Sequence, residues 1–313
     1  MTPTGRGGRI VGWGVALPDA VVTNAALEAR LDTTDAWISE RTGIRERRIG
    51  GTTTGLAVDA GRRALEHAGL DGADIDAVVL ATTTPDQVMP QSAATVQDAL
   101  GVVGGAFDVN AACSGFVYGL ITTHGLLALG MRRVLLIGAE TLSRITDWED
   151  RNTAVLFADG AGAVVIESTP GPGALVAWDL GSDGATRHLI ESDHGGFLQM
   201  EGKEVFRRAV RVIVDSTQAT LERAGCTADD VSLVVPHQAN IRIIEAACAR
   251  LGIPMERTVN VLDRTGNTSA ASIPIGLADA LEAGRIHDGD RVLLVGFGAG
   301  MAWASALLEW GRS

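Results

Sequence analysis

Lysine is almost missing from this chain: of its 26 basic residues, only Lys203 is not an arginine. No apolar run reaches the roughly 18 residues a membrane helix needs. The stretch Met1–Gly8 also lacks the apolar block of a signal peptide. Both absences predict a soluble cytoplasmic protein that does not enter a membrane. The three cysteines, Cys113, Cys226 and Cys248, form neither a disulfide framework nor a metal-ligand spacing, so no metal site is expected and each thiol is judged alone. Positive charge is also in deficit. Thirty-eight acidic residues against 26 basic ones leave a formal net charge of -12, which argues against nucleic acid as a partner.

What is present is the composition of a globular enzyme-sized chain. Its 313 residues are 46% hydrophobic and 20% charged, which excludes a disordered or fibrous protein and predicts one large domain or two half-size ones. An internal repeat chooses between them. Leu65–Gly69 reads LEHAG and Leu221–Gly225 reads LERAG, 156 residues further on; Arg133–Gly138 reads RVLLIG and Arg291–Gly296 reads RVLLVG, 158 further on. Two matches in the same order at nearly the same offset indicate a duplication. Val78–Leu80, Val134–Ile137, Val164–Ile166, Val234–Val235 and Val292–Val295 are continuous apolar runs, which suit strands covered on both faces. Ala57–Ala68 and Ser216–Ala224 carry helical spacing. The expected architecture is two α/β halves packed back to back in α/β/α/β/α layers, residues 1–170 carrying a cysteine and 171–313 a histidine and an asparagine.

Four segments carry groups with chemistry. Cys113, in Asn110–Phe116, follows the strand-like Ala106–Val109 and precedes a helix-like run to Leu129. A thiol at that junction lies near the positive end of the helix dipole, which favours thiolate. The competing expectation is a buried structural cysteine, and it is the better one for Cys226 and for the mid-helix Cys248. His237 leaves the second-half strand in Val234–Asn240, a position from which it can face a cleft rigidly. Asn267, within Thr265–Ser272, is either a helix N-cap or an amide donor aimed at a carbonyl. The glycine-rich Val295–Met301 has no βαβ unit beyond it, so it reads as half an oxyanion hole rather than a nucleotide site.

Together with the segments Asp35–Arg48, Phe157–Gly162, Pro236–Asn240 and Gly266–Ser269, the cysteine segment resembles the β-ketoacyl-[acyl carrier protein] synthase III family of the thiolase superfamily. The resemblance covers nearly the whole chain and implies a thiolase-like five-layered fold from an internal duplication. It implies that an acyl-CoA primer acylates Cys113. His237 and Asn267 would then bind the thioester carbonyl of malonyl-[acyl carrier protein] and stabilise the enolate left by decarboxylation. The backbone N–H groups of Cys113 and Ala299 would form the oxyanion hole, Ala299 standing where many members carry glycine. For CoA it implies Trp37 and Arg151 around the adenine, with Thr33, Arg41, Gly202, Phe206 and Asn240 along the tunnel. For the acyl pocket it implies Leu142, Phe157, Leu189 and Leu198, with Met89 closing the far end from the partner subunit of a homodimer. For carrier-protein docking it implies Arg242, and because an acidic carrier needs a basic patch on a chain of net charge -12, Arg207 and Arg250 are expected to join it. No cofactor is expected, because CoA thioester and malonyl carrier are substrates.

Several rival activities share parts of this pattern. A degradative thiolase needs a second cysteine in the C-terminal glycine loop, and Gly296–Met301 has none. Elongating ketosynthases use two histidines, and Asn267 holds the place of the second. A specialised acyltransferase or polyketide-priming synthase keeps the same fold and stays open from sequence. A cysteine hydrolase also combines cysteine, histidine and asparagine. A non-catalytic partner subunit has no need of all three.

Overall fold

The repeated Leu-Glu-x-Ala-Gly is a helix end in both halves. A computed structural model describes residues 5–313, and in it Gly69 and Gly225 close their helices in the left-handed region, at φ +66° and +65°. Glycine reaches that conformation without the penalty a Cβ imposes. The first half contains β1 (Gly8–Ala16), β2 (Val21–Thr23), β3 (Glu46–Arg48), β4 (Ala77–Ala81), β5 (Gly105–Val109), β6 (Arg133–Thr141) and β7 (Asp159–Ser168). Between them run α1 (Asn24–Glu28), α2 (Asp35–Thr42), α3 (Thr53–Ala68), α4 (Ser92–Ala99), α5 (Gly115–Ala128) and α6 (Arg151–Ala154). The second half contains β8 (Leu175–Ser182), β9 (Ile190–Glu191), β10 (Gln199–Met200), β11 (Leu233–Pro236), β12 (Arg291–Gly298) and β13 (Ala302–Glu309). Its helices are α7 (Gly202–Ala224), α8 (Ile241–Leu251), α9 (Leu262–Thr265) and α10 (Ser272–Glu282).

Each half builds its own sheet. The first has strand order β1-β7-β6-β4-β5 and the second β8-β13-β12-β11. In both, the β4/β6 and β11/β12 pairs are parallel while the next two pairs are antiparallel. The one unequal member is β5, whose counterpart is reduced to a single parallel bridge between Val234 and Thr258. Each apolar run named from the sequence lies in a strand, and β4 is buried at all five positions. Both faces must therefore be covered.

Helices α5 and α10 lie between the two sheets. Phe116, Leu120 and Leu127 of α5 and Ile273 and Leu277 of α10 share one core with Val79 and Leu136 of the first sheet and Val235 and Leu294 of the second. Helices α3 and α4 cover the outer face of the first sheet, and α7 and α8 that of the second. The layers are α/β/α/β/α. The packing of α3 on β1 is close enough that a Cβ on Gly14 would stand 2.4 Å from the Ala60 carbonyl oxygen.

A cap over the first sheet's end completes the molecule. It gathers Leu27, Ile38, Ile44, Leu142, Phe157 and Leu262 around the wholly buried Arg47. The Arg47 guanidinium donates to the carbonyl oxygens of Val22 (3.1 Å) and Val155 (2.9 Å) and to Asn24 Oδ1 (2.9 Å). Burial pulls its pKa down to about 10.

Candidate active site

Duplication places two related turns against each other. After β5, the turn Ala112–Ser114 leads into α5; in the second half, Ser269–Ala271 leads into α10. Each opens on a non-glycine residue in the left-handed region, Ala112 and Ser269, both at φ +47°. Such a conformation costs energy for a residue with a Cβ and is held by its surroundings. Glycines let those surroundings approach. A Cβ on Gly138 would lie 2.3 Å from the Ala270 carbonyl oxygen, and one on Gly298 2.5 Å from the Cys113 nitrogen. The C-terminal glycine loop thus presses its backbone against the Cys113 turn.

His237 leaves β11 with its backbone N–H bonded to the Val295 carbonyl at 2.8 Å. Its ring is 3% exposed, packs edge-on against Phe297 at 5.5 Å, and places Nδ1 2.7 Å from Ser272 Oγ. Ser272 Oγ already accepts from the Gln238 N–H at 3.3 Å. When the hydroxyl donates to Nδ1, the ring proton sits on Nε2. Burial pulls the His237 pKa down to about 3, so the imidazole is a neutral donor. Asn267 is 6% exposed, and its Oδ1 accepts from the Ser269 N–H at 2.9 Å. With the oxygen so held, Nδ2 is the end left to donate. The N-cap reading of Asn267 is not what the structure shows, because α10 begins at Ser272.

Cys113, His237 and Asn267 line one cavity of about 1910 Å³, whose wall also includes Phe297 and Ala299. Trp37, Arg41, Gly202, Phe206, Asn240 and Arg242 line it too, as do Leu142, Phe157 and Leu198. Arg151 lies outside the wall, on the Trp37 ring at 5.0 Å, with its guanidinium donating to the Asp32 carbonyl at 2.8 Å. An intercalated base needs about 7 Å, two contacts of roughly 3.5 Å, so the pair is closed here. Thr33 is half-buried beside it, outside the cavity wall.

One residue expected in the acyl pocket is placed elsewhere: the turn Gly184–Leu189 carries Leu189 into the second half's core with Val205 and Val210. Met89, expected to reach a partner subunit's pocket, stands 85% exposed on a surface loop. Arg207 and Arg250 border a separate depression of about 750 Å³ that also holds Arg211 and Asp215. Arg207 is clasped by Glu204 at 2.6 Å, and Arg242 lies 5.8 Å over the Phe206 ring.

Residues 107–184 match the family model described as 3-Oxoacyl-[acyl-carrier-protein (ACP)] synthase III, and residues 221–310 match its C-terminal counterpart. A beta-ketoacyl-[acyl-carrier-protein] synthase III of Geobacillus kaustophilus is 49% identical over 313 residues, covering 98% of this chain and 100% of the relative. The chain belongs to the β-ketoacyl-[acyl-carrier-protein] synthase III family. A solved 3-oxoacyl-[acyl-carrier-protein] synthase III from Aquifex aeolicus superposes with a TM-score of 0.95 at 44% identity, covering 97% of this chain and 100% of that one. A priming β-ketosynthase of the R1128 polyketide pathway superposes with a TM-score of 0.94 at 36% identity, covering 100% and 98%. The protein is an acyltransferase of this condensing class.

The electrostatics of this synthase III site depart from one expectation. Burial, the largest effect, pushes the Cys113 thiol up to about 12; the nearby Ser269 hydroxyl pulls the other way and the negative charge of Glu140 adds to the rise. The helix-dipole argument for a ready thiolate is therefore outweighed. Ser269, Ser272, Phe297 and Glu140 are the site residues that sequence reasoning did not single out. The shared Ser-Ala-Ala-Ser run pointed near the first two, but nothing local marks Glu140, which sits inside an apolar strand.

Proposed function

We propose that the protein condenses an acyl-CoA primer with malonyl-[acyl carrier protein], releasing carbon dioxide and forming the 3-oxoacyl-[acyl carrier protein] that initiates type II fatty acid synthesis. The observation that carries the assignment of roles is the convergence of Cys113, His237 and Asn267 on one cavity. Cys113 attacks the acyl-CoA carbonyl and keeps the acyl group, because a thiolate is both a good nucleophile and a good leaving group. The backbone N–H groups of Cys113 and Ala299 receive the oxyanion. His237 Nε2–H and Asn267 Nδ2–H then hold the malonyl thioester oxygen as carbon dioxide leaves, and the enolate attacks the acyl-cysteine. Neutral donors suit this step: they stabilise the enolate oxygen without protonating and quenching it.

CoA enters past Trp37, Arg41 and Asn240. The Trp37–Arg151 pair opens to admit the adenine, a stacking role that both side chains suit. Carrier protein, an acidic partner, docks near Arg207, Arg242 and Arg250. Val88 and Met89, 83% and 85% exposed, form an apolar tip that suits coverage by a second copy in a homodimer. Fatty acid synthesis is favoured over polyketide priming because the relatives at 47–50% identity carry the synthase III name.

Intact-protein mass after mixing with acyl-CoAs, followed by malonyl-[acyl carrier protein], tests the reading. An adduct on Cys113 that discharges as ketoacyl product forms is the expected result. The Cys113→Ala variant is expected to gain no mass while still decarboxylating malonyl carrier. A stable adduct that malonyl carrier leaves untouched would point to a different acceptor and overturn the assignment.

A further inference from the structure

The duplicated turns differ in the residue that opens the helix after them. Ala112–Ser114 leads into α5 at Gly115, and Ser269–Ala271 leads into α10 at Ser272. Glycine supports the same helix start, so the turn itself has no need of the Ser272 hydroxyl. That hydroxyl is 1% exposed, with Oγ 2.7 Å from His237 Nδ1 and 3.3 Å from the Gln238 amide nitrogen. The amide can only donate, so Oγ accepts there. Among the described residues Oγ makes no other side-chain hydrogen bond, which leaves Nδ1 as the acceptor for the hydroxyl proton. With a proton on Nδ1 instead, the hydroxyl hydrogen would be buried without an acceptor, the costlier arrangement. The main chain holds both partners in place. The His237 N–H is bonded to the Val295 carbonyl at 2.8 Å, and Gln238 Nε2 donates to the carbonyls of Pro236 (2.8 Å) and Val259 (3.2 Å).

We propose that the Ser272 hydroxyl positions His237 for condensation: by donating to Nδ1 it keeps the ring proton on Nε2, the nitrogen that meets the malonyl thioester oxygen. The reason is the sign of the dipole. A neutral imidazole carries a proton on one nitrogen and a lone pair on the other. An Nε2–H attracts the developing enolate oxygen, whereas a bare Nε2 repels it.

The surroundings of the ring agree with this arrangement. Ser272 opens α10, so the positive end of that helix dipole stands beside Nδ1 and opposes a charge on the ring. Burial acts in the same direction, pulling the His237 pKa down to about 3. Phe297 packs edge-on at 5.5 Å and bounds the ring on another side. No hydrogen bond among the described residues engages Nε2, which remains available to substrate. Ser272 acts through the ring and is a positioning residue; no proton passes between it and His237 in the cycle.

The proposal rests on His237 serving the condensation step proposed above, and two readouts keep the failure of each distinct. The first is nitrogen-15 NMR of the parent enzyme labelled at histidine, with His237→Ala identifying the ring by the signals it removes. The expected parent spectrum has the proton on Nε2 and a bare Nδ1 shifted upfield as a hydrogen-bond acceptor. A proton on Nδ1 overturns the proposal, and no Ser272 variant has to fold for that result. The second is single-turnover mass with acyl-CoA, then malonyl-[acyl carrier protein]. Ser272→Ala is expected to slow condensation at least about tenfold through misorientation of the donor, and acylation of Cys113 by less than about twofold. In a His237→Ala background the same substitution is expected to cost less than about twofold more, because the residue it acts through is gone. Parental condensation in Ser272→Ala overturns the proposal. So does an equal loss in both backgrounds, or a loss shared equally by acylation and condensation, which marks a merely structural role. A parent enzyme that never condenses refutes the proposed function instead, and the NMR spectrum still decides which nitrogen Ser272 holds.

Discussion

At the residue scale, three of the groups that matter stand out in the sequence and three do not. Cys113, His237 and Asn267 each follow a strand or open a run of small residues, and each is of a type that chemistry uses. Ser272 and Ser269 are one-atom contributors whose worth depends on what faces them. Ser272 meets the His237 ring from 35 residues away, and Glu140 meets Thr84 across 56. No local pattern encodes such distances. The two donors give a sharp prediction. His237→Ala or Asn267→Ala is expected to leave acylation of Cys113 intact while lowering condensation by about a hundredfold or more, the usual cost of losing one preorganised donor. Single-turnover mass and product release separate the two steps. Because burial holds the His237 pKa near 3, the ring stays neutral across ordinary pH, and malonyl decarboxylation by the Cys113→Ala enzyme is expected to show no histidine titration between about pH 5 and 8. A fall in that rate centred near the ordinary histidine value, about 6.5, would contradict the neutral-donor role.

Among the elements, continuous apolar runs located the central strands, and the repeated Leu-Glu-x-Ala-Gly marked two helix ends before any coordinates. The flanking strands β1, β8 and β13 were harder to read, because glycine and small residues interrupt them where helices press close. Glycine at a strand end has its clearest consequence at Gly298. A Cβ there would overlap the Cys113 nitrogen, which lies 2.5 Å away. Gly298→Ala is accordingly expected to displace the nucleophile turn, cutting acylation by about a hundredfold through misplacement. It should cost about 1–3 kcal/mol of stability from overpacking. A thermal melt alongside the acylation rate checks both effects. An alanine tolerated at parental rate would mean that β12 does not set the position of Cys113.

The whole molecule is a duplicated α/β unit closed by a cap, and two predictions belong to it. Arg47 ties the cap to the first half from a fully buried position. Arg47→Ala strands the acceptors of Val22, Asn24 and Val155, so a loss of about 3 kcal/mol or more is expected in a urea titration. The second prediction concerns acid. Burial lowers the pKa of His237 to about 3 and that of His124 to about 4, below the unfolded value of about 6.5. The unfolded chain therefore binds more protons between those values, and stability contributed by these histidines is full above about pH 6.5 and lost as pH falls towards 4 and 3. Urea midpoints at a series of pH values should show this decline, and His124→Gln should flatten its upper part. The sequence by itself determined the fold class, the duplication and the identity of the thiol, histidine and amide, because apolar period and residue type are local properties. Tertiary structure alone decided which turns meet, that Leu189 joins a core rather than the cavity, and that a buried carboxylate stands behind the nucleophile. The meeting of the turns depends on segments more than a hundred residues apart, set by the packing of one half on the other, whereas Leu189 and Glu140 find their neighbours within their own half.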